Sequence, residues 1–159
     1  MVKYYNAMVV FEEIPDEITL AINITNCPCK CEGCHSKFLW EDVGTELTEK
    51  ELINLIEKNK GITTVCFMGG DGNVDELNHL AEFVSTIDNH SYKVGWYSGR
   101  DELSKNANLM FFDYVKLGHY DYRFGGLNKE TTNQKLFKVK DGKLYENITY
   151  KFWRKNSRL

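Results

Sequence analysis

Apolar side chains recur along this chain with two periods, and the periods alternate in a regular order. Ile18-Thr-Leu-Ala-Ile-Asn-Ile24 alternates apolar with small or polar residues and is rich in β-branched side chains, which predicts a strand. Thr48-Glu-Lys-Glu51 has the Ser/Thr-x-x-Glu form of a helix capping box and opens a run with Leu52, Leu55 and Ile56 at helical spacing, closed by Gly61. The run Ile62 to Met68 reads as a buried strand ending in Gly69-Gly70-Asp71, and beyond it Val74, Leu77, Leu80, Ala81 and Val84 return to helical spacing. A third strand, Tyr92 to Tyr97, gives way at Ser98-Gly99 to a short helical segment beginning near Asp101, and a fourth, Phe111 to Leu117, ends at Gly118.

Strands alternating with helices predict a parallel sheet with right-handed crossovers, in which chemistry collects on the loops after the strands. The chain is too short for eight β/α units. The expected fold class is therefore α/β, a partial (β/α) TIM-type barrel: a mostly parallel, open sheet whose lateral gap a large partner can fill. After Gly118 the pattern changes, and Lys135 to Val139 and Lys143 to Ile148, joined across Asp141-Gly142, predict a C-terminal β-hairpin extension. No linker or low-complexity stretch interrupts the pattern, so residues 1–159 read as a single domain.

Composition narrows the function classes. A net charge of -3 offers no general attraction to a phosphate backbone, so no nucleic-acid role is expected. The end is locally basic, with Lys151, Arg154, Lys155 and Arg158 around Phe152 and Trp153, and reads as a solvated tail. No stretch approaches the ~18 consecutive apolar residues of a membrane span, and Met1 to Asn6 has no apolar signal core. The expected location is the cytoplasm, with no membrane partner.

Four of the 5 cysteines crowd between Cys27 and Cys34, while Cys66 sits alone in an apolar run. A secreted disulfide framework uses a dispersed, even set, so metal chemistry in a reducing compartment is the better reading. Cys27, Cys31 and Cys34 form C-x3-C-x2-C in a loop directly after the first predicted strand. Three thiolates wrapping a 4Fe-4S cubane leave one iron open to another ligand. Gly33 lets backbone approach such a cluster closely, and Lys30 tempers its negative charge. The alternative is zinc held by Cys29, Cys31, Cys34 and His35, but structural zinc draws its ligands from two separated knuckles and no second knuckle stands out. Cys29 and Cys66 read as bystanders.

With these motifs in order, the sequence resembles the radical S-adenosylmethionine superfamily, and within its glycyl-radical-enzyme activating branch the anaerobic ribonucleoside-triphosphate reductase activating proteins. The resemblance covers most of the chain: Ile18 to Ile24 and Asn26-Cys27, the three cysteines, Trp40, Gly44-Thr-Glu-Leu-Thr48, Met68-Gly-Gly-Asp71, Gly95-Trp-Tyr-Ser-Gly99, Asp113-Tyr-Val-Lys-Leu-Gly118 and Thr132-Asn-Gln134. Two positions depart from the wider superfamily. Gly33 stands where many members have an aromatic residue, and Asp71 where a Gly-Gly-Glu acid is common.

The resemblance implies an enzyme that reductively cleaves S-adenosylmethionine at a 4Fe-4S cluster held by Cys27, Cys31 and Cys34. It implies that the 5'-deoxyadenosyl radical takes an α-hydrogen from a glycine of the anaerobic reductase, with a flavodoxin or ferredoxin as electron donor. By similarity, Gly69, Gly70 and Asp71 line the methionine moiety, Ser98 bonds its ribose or methionine end, Lys116 pairs with its carboxylate, and Gly33 and His35 touch it through backbone. Asp113 and His119 read as hydrogen-bonded caps. No conventional acid, base or nucleophile beyond the cluster ligands is implied. Two other functions compete: a small-molecule radical enzyme resembling deazaguanine-forming synthases, and a zinc-stabilised binding module.

Overall fold

The computed structural model describes residues 1–34, 36–89 and 91–154. Eight strands occur among them: β1 (Lys3–Val10), β2 (Thr19–Ile24), β3 (Thr45–Glu46), β4 (Thr64–Met68), β5 (Lys93–Tyr97), β6 (Tyr114–Leu117), β7 (Lys135–Lys140) and β8 (Lys143–Asn147). They form one continuous sheet in the order β3-β1-β2-β4-β5-β6-β7-β8. Three α-helices accompany it among the described residues, α1 (Glu49–Lys58), α2 (Val74–Thr86) and the single turn α3 (Lys151–Arg154).

The four strands predicted from apolar periodicity lie side by side and parallel. The predicted barrel is not formed. A TIM-type barrel needs every strand parallel and every crossover helical, but β1 runs antiparallel to β2, β7 antiparallel to β6, and β8 antiparallel to β7. The molecule is an open mixed sheet with short helices, and its parallel part is confined to the middle.

The helical segment expected near Asp101 is also absent, and a 3-10 turn at Leu109–Phe111 is the only helical structure between β5 and β6. Short polar side chains there capture backbone groups that a helix would use. Asn106 N–H donates to Ser104 Oγ and Met110 N–H to Asn108 Oδ1, while the Asp101 carboxylate is taken by His119 N–H from beyond β6.

The capping-box helix begins as predicted, with Glu51 N–H donating to Thr48 Oγ1 at 3.1 Å. It buries Leu52, Leu55 and Ile56, while α2 buries Val74, Leu77, Leu80, Ala81 and Val84. Both helices pack on the sheet face that carries Leu20, Ile22, Val65, Phe67, Val94, Trp96 and Val115. The opposite face is covered mostly by irregular chain: Ile14 and Ile148 close over Cys66, Tyr114 and Leu136, with Phe152 of α3 packed against them. Gly95 makes room for this plug, since a Cβ there would stand 2.6 Å from Ile14 Cδ1. The β7–β8 hairpin turns at Asp141 and Gly142, both with positive φ, as the turn dipeptide predicts.

Beneath the sheet, at the amino ends of its parallel strands, Glu17 accepts from Thr63 Oγ1 at 2.7 Å, Lys93 Nζ at 2.7 Å and Tyr114 OH at 2.6 Å. Burial raises the Glu17 carboxyl, but these bonds outweigh it and its pKa lies below the ordinary 4.5. A carboxyl depressed by folding stabilises the fold above its unfolded pKa, and that contribution disappears as pH falls through the folded value. Asp113, which binds Val94 N–H at 2.8 Å, acts in the opposite sense because burial raises its carboxyl. Glu17→Gln is expected to lower the melting temperature at pH 7 and to make its decline between roughly pH 5 and 3 shallower than in the unaltered protein. Parallel decline of the two curves, measured by calorimetry across that range, would remove Glu17 from the acid response.

Candidate iron-sulfur site

The carboxyl ends of β2, β4, β5 and β6 open onto one rim of the sheet. From β2 the chain enters the cysteine loop through Asn26, whose φ of +60° turns it away from the strand direction. The loop is tied at its base, because Asn26 N–H donates to Glu41 O at 3.2 Å and Cys27 N–H to Leu39 O at 2.9 Å. Residues 26 to 41 are thus a closed excursion. Inside it Cys34 N–H donates to Cys31 O, and Gly33, with φ +75°, lets the loop lie against Tyr122, whose Cβ would be 3.3 Å from an added Cβ.

All four loop thiols are free and half-buried. Cys29 Sγ lies 3.8 Å from Asp71 Oδ2, whereas Cys34 Sγ accepts the Ser36 N–H at 3.4 Å. A hydrogen bond with Cys29 holds the Cys27 thiol down, to about 6, against the effect of its burial. The same bond, with burial and the negative charge of Asp71, pushes the Cys29 thiol up.

The loop after β5 and the cysteine loop meet at Asp71, at the end of β4. Its Oδ1 accepts from Ser98 Oγ at 2.6 Å, and its Oδ2 accepts from Gly99 N–H at 2.9 Å. Ser98 is itself fixed, receiving Arg100 N–H on its hydroxyl and donating its own N–H to Lys116 O. Lys116 is buried in β6, with Nζ donating to Gly118 O at 3.0 Å and lying 5.5 Å from the centre of the Tyr97 ring. Burial lowers the Lys116 ammonium below its usual range, opposed by Asp71 and the thiols of Cys31, Cys29 and Cys27. A buried carboxylate after β4 and a buried ammonium on β6, two strands away, thus lie at the rim that carries the cysteine loop.

The two glycines permit close packing at this corner. Gly69 has φ +114°, and an added Cβ would meet the Ile24 Cβ and carbonyl oxygen at 3.3 Å; Gly70 has φ +96° and sits against Leu77. Gly69 N–H donates to Tyr97 O, and its carbonyl accepts the Trp96 indole N–H at 2.9 Å, so both its polar groups bind β5.

The sequence-predicted residues Asp71, Ser98 and Lys116 thus come together, with Gly69 and Gly70 shaping the turn that delivers Asp71. Cys27 and Cys31 are the predicted ligands whose charge reaches Lys116, while Cys34 is turned to its neighbouring backbone amide. His35 lies outside the described residues. Asp113 and His119 are hydrogen-bonded as expected, His119 Nδ1 standing 2.7 Å from Asp101 Oδ1.

Cys29 is what sequence reasoning missed. It was set aside with Cys66, yet the two differ completely. Cys66 is fully buried in β4 with its thiol 3.7 Å from Met68 Sδ and pushed up by burial, whereas Cys29 reaches the centre of the polar cluster. The available clue was a fourth thiol within eight residues. Spacing alone does not distinguish its direction from those of its neighbours.

This donor set fits a 4Fe-4S group. It combines several thiols on one tied loop with an amide N–H on a ligand sulfur and a buried cation nearby, the last two of which favour thiolate. A cubane binds each thiolate through a different iron, so its ligand sulfurs need not converge on one point. A single zinc ion requires donors that meet at one point; no three His, Cys, Asp or Glu side chains among the described residues do so, and His35 of the alternative zinc set lies outside them. No described helix is long and apolar enough to cross a membrane.

Comparison with known proteins agrees with this chemistry. No curated protein and no solved structure matches the chain. A protein family does match, described as a 4Fe-4S single cluster domain, over residues 18–105, a span running from the start of β2 past the Asp71 and Ser98 loops. That span is more than half of the 159 residues, and the chain belongs to the 4Fe-4S single cluster domain family.

Proposed function

We propose that this protein is a radical S-adenosylmethionine enzyme that generates a glycyl radical on an anaerobic ribonucleoside-triphosphate reductase. The observation that carries the reading is the convergence of Asp71, Ser98 and Lys116 from three successive parallel strands beside a loop bearing Cys27, Cys31 and Cys34. Those three cysteines hold the cluster, which when bound supplies the electron that splits the cofactor's sulfonium to methionine and a 5'-deoxyadenosyl radical.

The chain's own residues then do ordinary work. Asp71 is pinned by Ser98 and Gly99 and presents a fixed negative charge suited to the methionine ammonium. Lys116, desolvated and one strand further on, offers the complementary charge to the methionine carboxylate. Ser98, almost wholly buried, keeps the carboxylate from rotating. Burial of all three excludes water that would quench a reactive carbon radical.

A cavity of about 440 Å³ adjoins this site, lined by Glu12, Glu13, Met68, Tyr97, Gln134 and Phe152. Met68 and Tyr97 immediately precede Gly69 and Ser98, and this cavity is the proposed seat of the protein segment that carries the target glycine. A flavodoxin or ferredoxin is the proposed electron donor.

The test is anaerobic incubation of reconstituted protein with the reductase, S-adenosylmethionine and a reductant, read by electron paramagnetic resonance. A doublet radical on the reductase is expected, and its absence in spite of cofactor cleavage would exclude the reductase as substrate.

A further inference from the structure

We infer that Cys29 is a fourth, displaceable ligand of the cluster, occupying the open iron until the sulfonium cofactor takes its place. Of the four loop thiols, Cys29 points at Asp71, with Sγ 3.8 Å from Oδ2. Asp71 is the group to which the proposed function gives the methionine ammonium, so Cys29 and the cofactor compete for one place. The inference rests on that reading.

Three further observations agree. Gly99 leaves the space that the Cys29 side chain fills, since a Cβ there would stand 2.9 Å from Sγ and 3.3 Å from the Cys29 Cβ. Lys30 next to it has φ +45°, a conformation that non-glycine residues rarely adopt and that turns the chain between Cys29 and Cys31. The side chain also belongs to a group, since Cys29 lies with Cys27 and Cys31 on one tied loop and all three thiols are half-buried. A fixed fourth thiolate would block the cofactor. One aimed at the cofactor's own carboxylate partner is placed to be displaced by it.

The exchange is balanced without a redox partner. Cys29 releases its thiol proton to water as sulfur bonds to iron. On displacement that Fe–S bond breaks, the cofactor's ammonium gives up one proton so that its amine and carboxylate bond to the same iron, and the Cys29 thiolate takes up a proton in exchange. No electron changes hands.

The experiment compares unaltered protein, Cys29→Ala and Cys29→Ser after anaerobic reconstitution with 57Fe, by Mössbauer spectroscopy with and without S-adenosylmethionine. Without cofactor, the unaltered protein is expected to show four irons of sulfur-ligated character. Cys29→Ala should show one iron resolved from the others, with Cys29→Ser shifted in the same sense. Adding S-adenosylmethionine should produce a distinct iron in the unaltered protein and bring its spectrum to that of cofactor-loaded Cys29→Ala. Removing the competing thiol should also tighten cofactor binding roughly 10-fold.

A distinct iron already present in the cofactor-free unaltered protein, unchanged by Cys29→Ala, overturns the inference. So does loss of the cluster from Cys29→Ala and Cys29→Ser under conditions where Cys34→Ala retains it, because Cys29 would then be a permanent ligand. If the cofactor alters neither protein's spectrum, the proposed cofactor fails while the cofactor-free comparison still decides Cys29.

Discussion

Replacing Cys27, Cys31 or Cys34 with alanine is expected to abolish the stable 4Fe-4S cluster and all cofactor cleavage, whereas Cys29→Ala keeps the cluster. The expectation follows from coordination number. Once the cofactor has displaced Cys29, a variant lacking one of the other three keeps only two protein thiolates, and the remaining attachment leaves iron open to loss. Fold and cluster separate cleanly here because the loop thiols lie outside the apolar core, and Cys66 is the only cysteine within it. The single variants should therefore retain the far-ultraviolet circular dichroism of the cluster-free protein. They should lose visible absorption, iron and acid-labile sulfide, along with the added stability that a group bound only by the folded state confers. A triple variant that still reconstitutes an undiminished cluster would refute the ligand assignment.

Asp71→Asn should give the second large effect, on cofactor affinity rather than on folding. An asparagine keeps the shape: its carbonyl oxygen accepts from Gly99 N–H, and its amide donates to Ser98 Oγ, which has lone pairs for both that donor and Arg100 N–H. The negative charge is what disappears. Lys116 loses an opposing charge at the same time, so the site becomes more positive just where an ammonium is to be held. We expect the dissociation constant for S-adenosylmethionine to rise roughly 10- to 100-fold, with little change in melting temperature or iron content. Equilibrium dialysis with the cluster-loaded variant measures it, and unchanged affinity would show that Asp71 only braces the β5 loop.

How much of this was legible in the sequence depended on whether the determining contacts were local. The β2, β4, β5 and β6 strands, the Thr48 cap, the α2 stripe and the Asp141-Gly142 turn are each written in a few consecutive residues. β1 escaped notice because its pairing with β2 shifts register between Tyr4 and Asn6, which breaks the two-residue alternation that marks a strand. β3 is two residues long and carries no pattern. The expected barrel failed for a non-local reason: nothing in the periodicity of residues 3–10 or 135–147 states that these segments add antiparallel to the two sides of a parallel block.

The site shows the same division. Gly69-Gly70-Asp71 was recognisable from its place after a strand, and Ser98 and Lys116 from theirs. That Asp71 binds Ser98, and that Cys29 turns toward both, required the loops of β2, β4 and β5 to be seen together.

An eight-stranded sheet that never closes has two free rims of backbone amides, and each invites another chain to add to it. The molecule answers differently at its two borders. On one side β3 pairs only with Lys3 and Tyr4, so the rest of β1 forms most of that border. On the other, β8 is a full strand, but Lys143, Glu146 and Asn147 are exposed along it, and Lys140 Nζ stands 5.0 Å from the centre of the exposed Tyr145 ring. Charge on that border penalises stacking of identical copies in register, since like charges would face one another at every rung. Resistance to fibre formation is thus concentrated in the last hairpin, far from the cysteine loop.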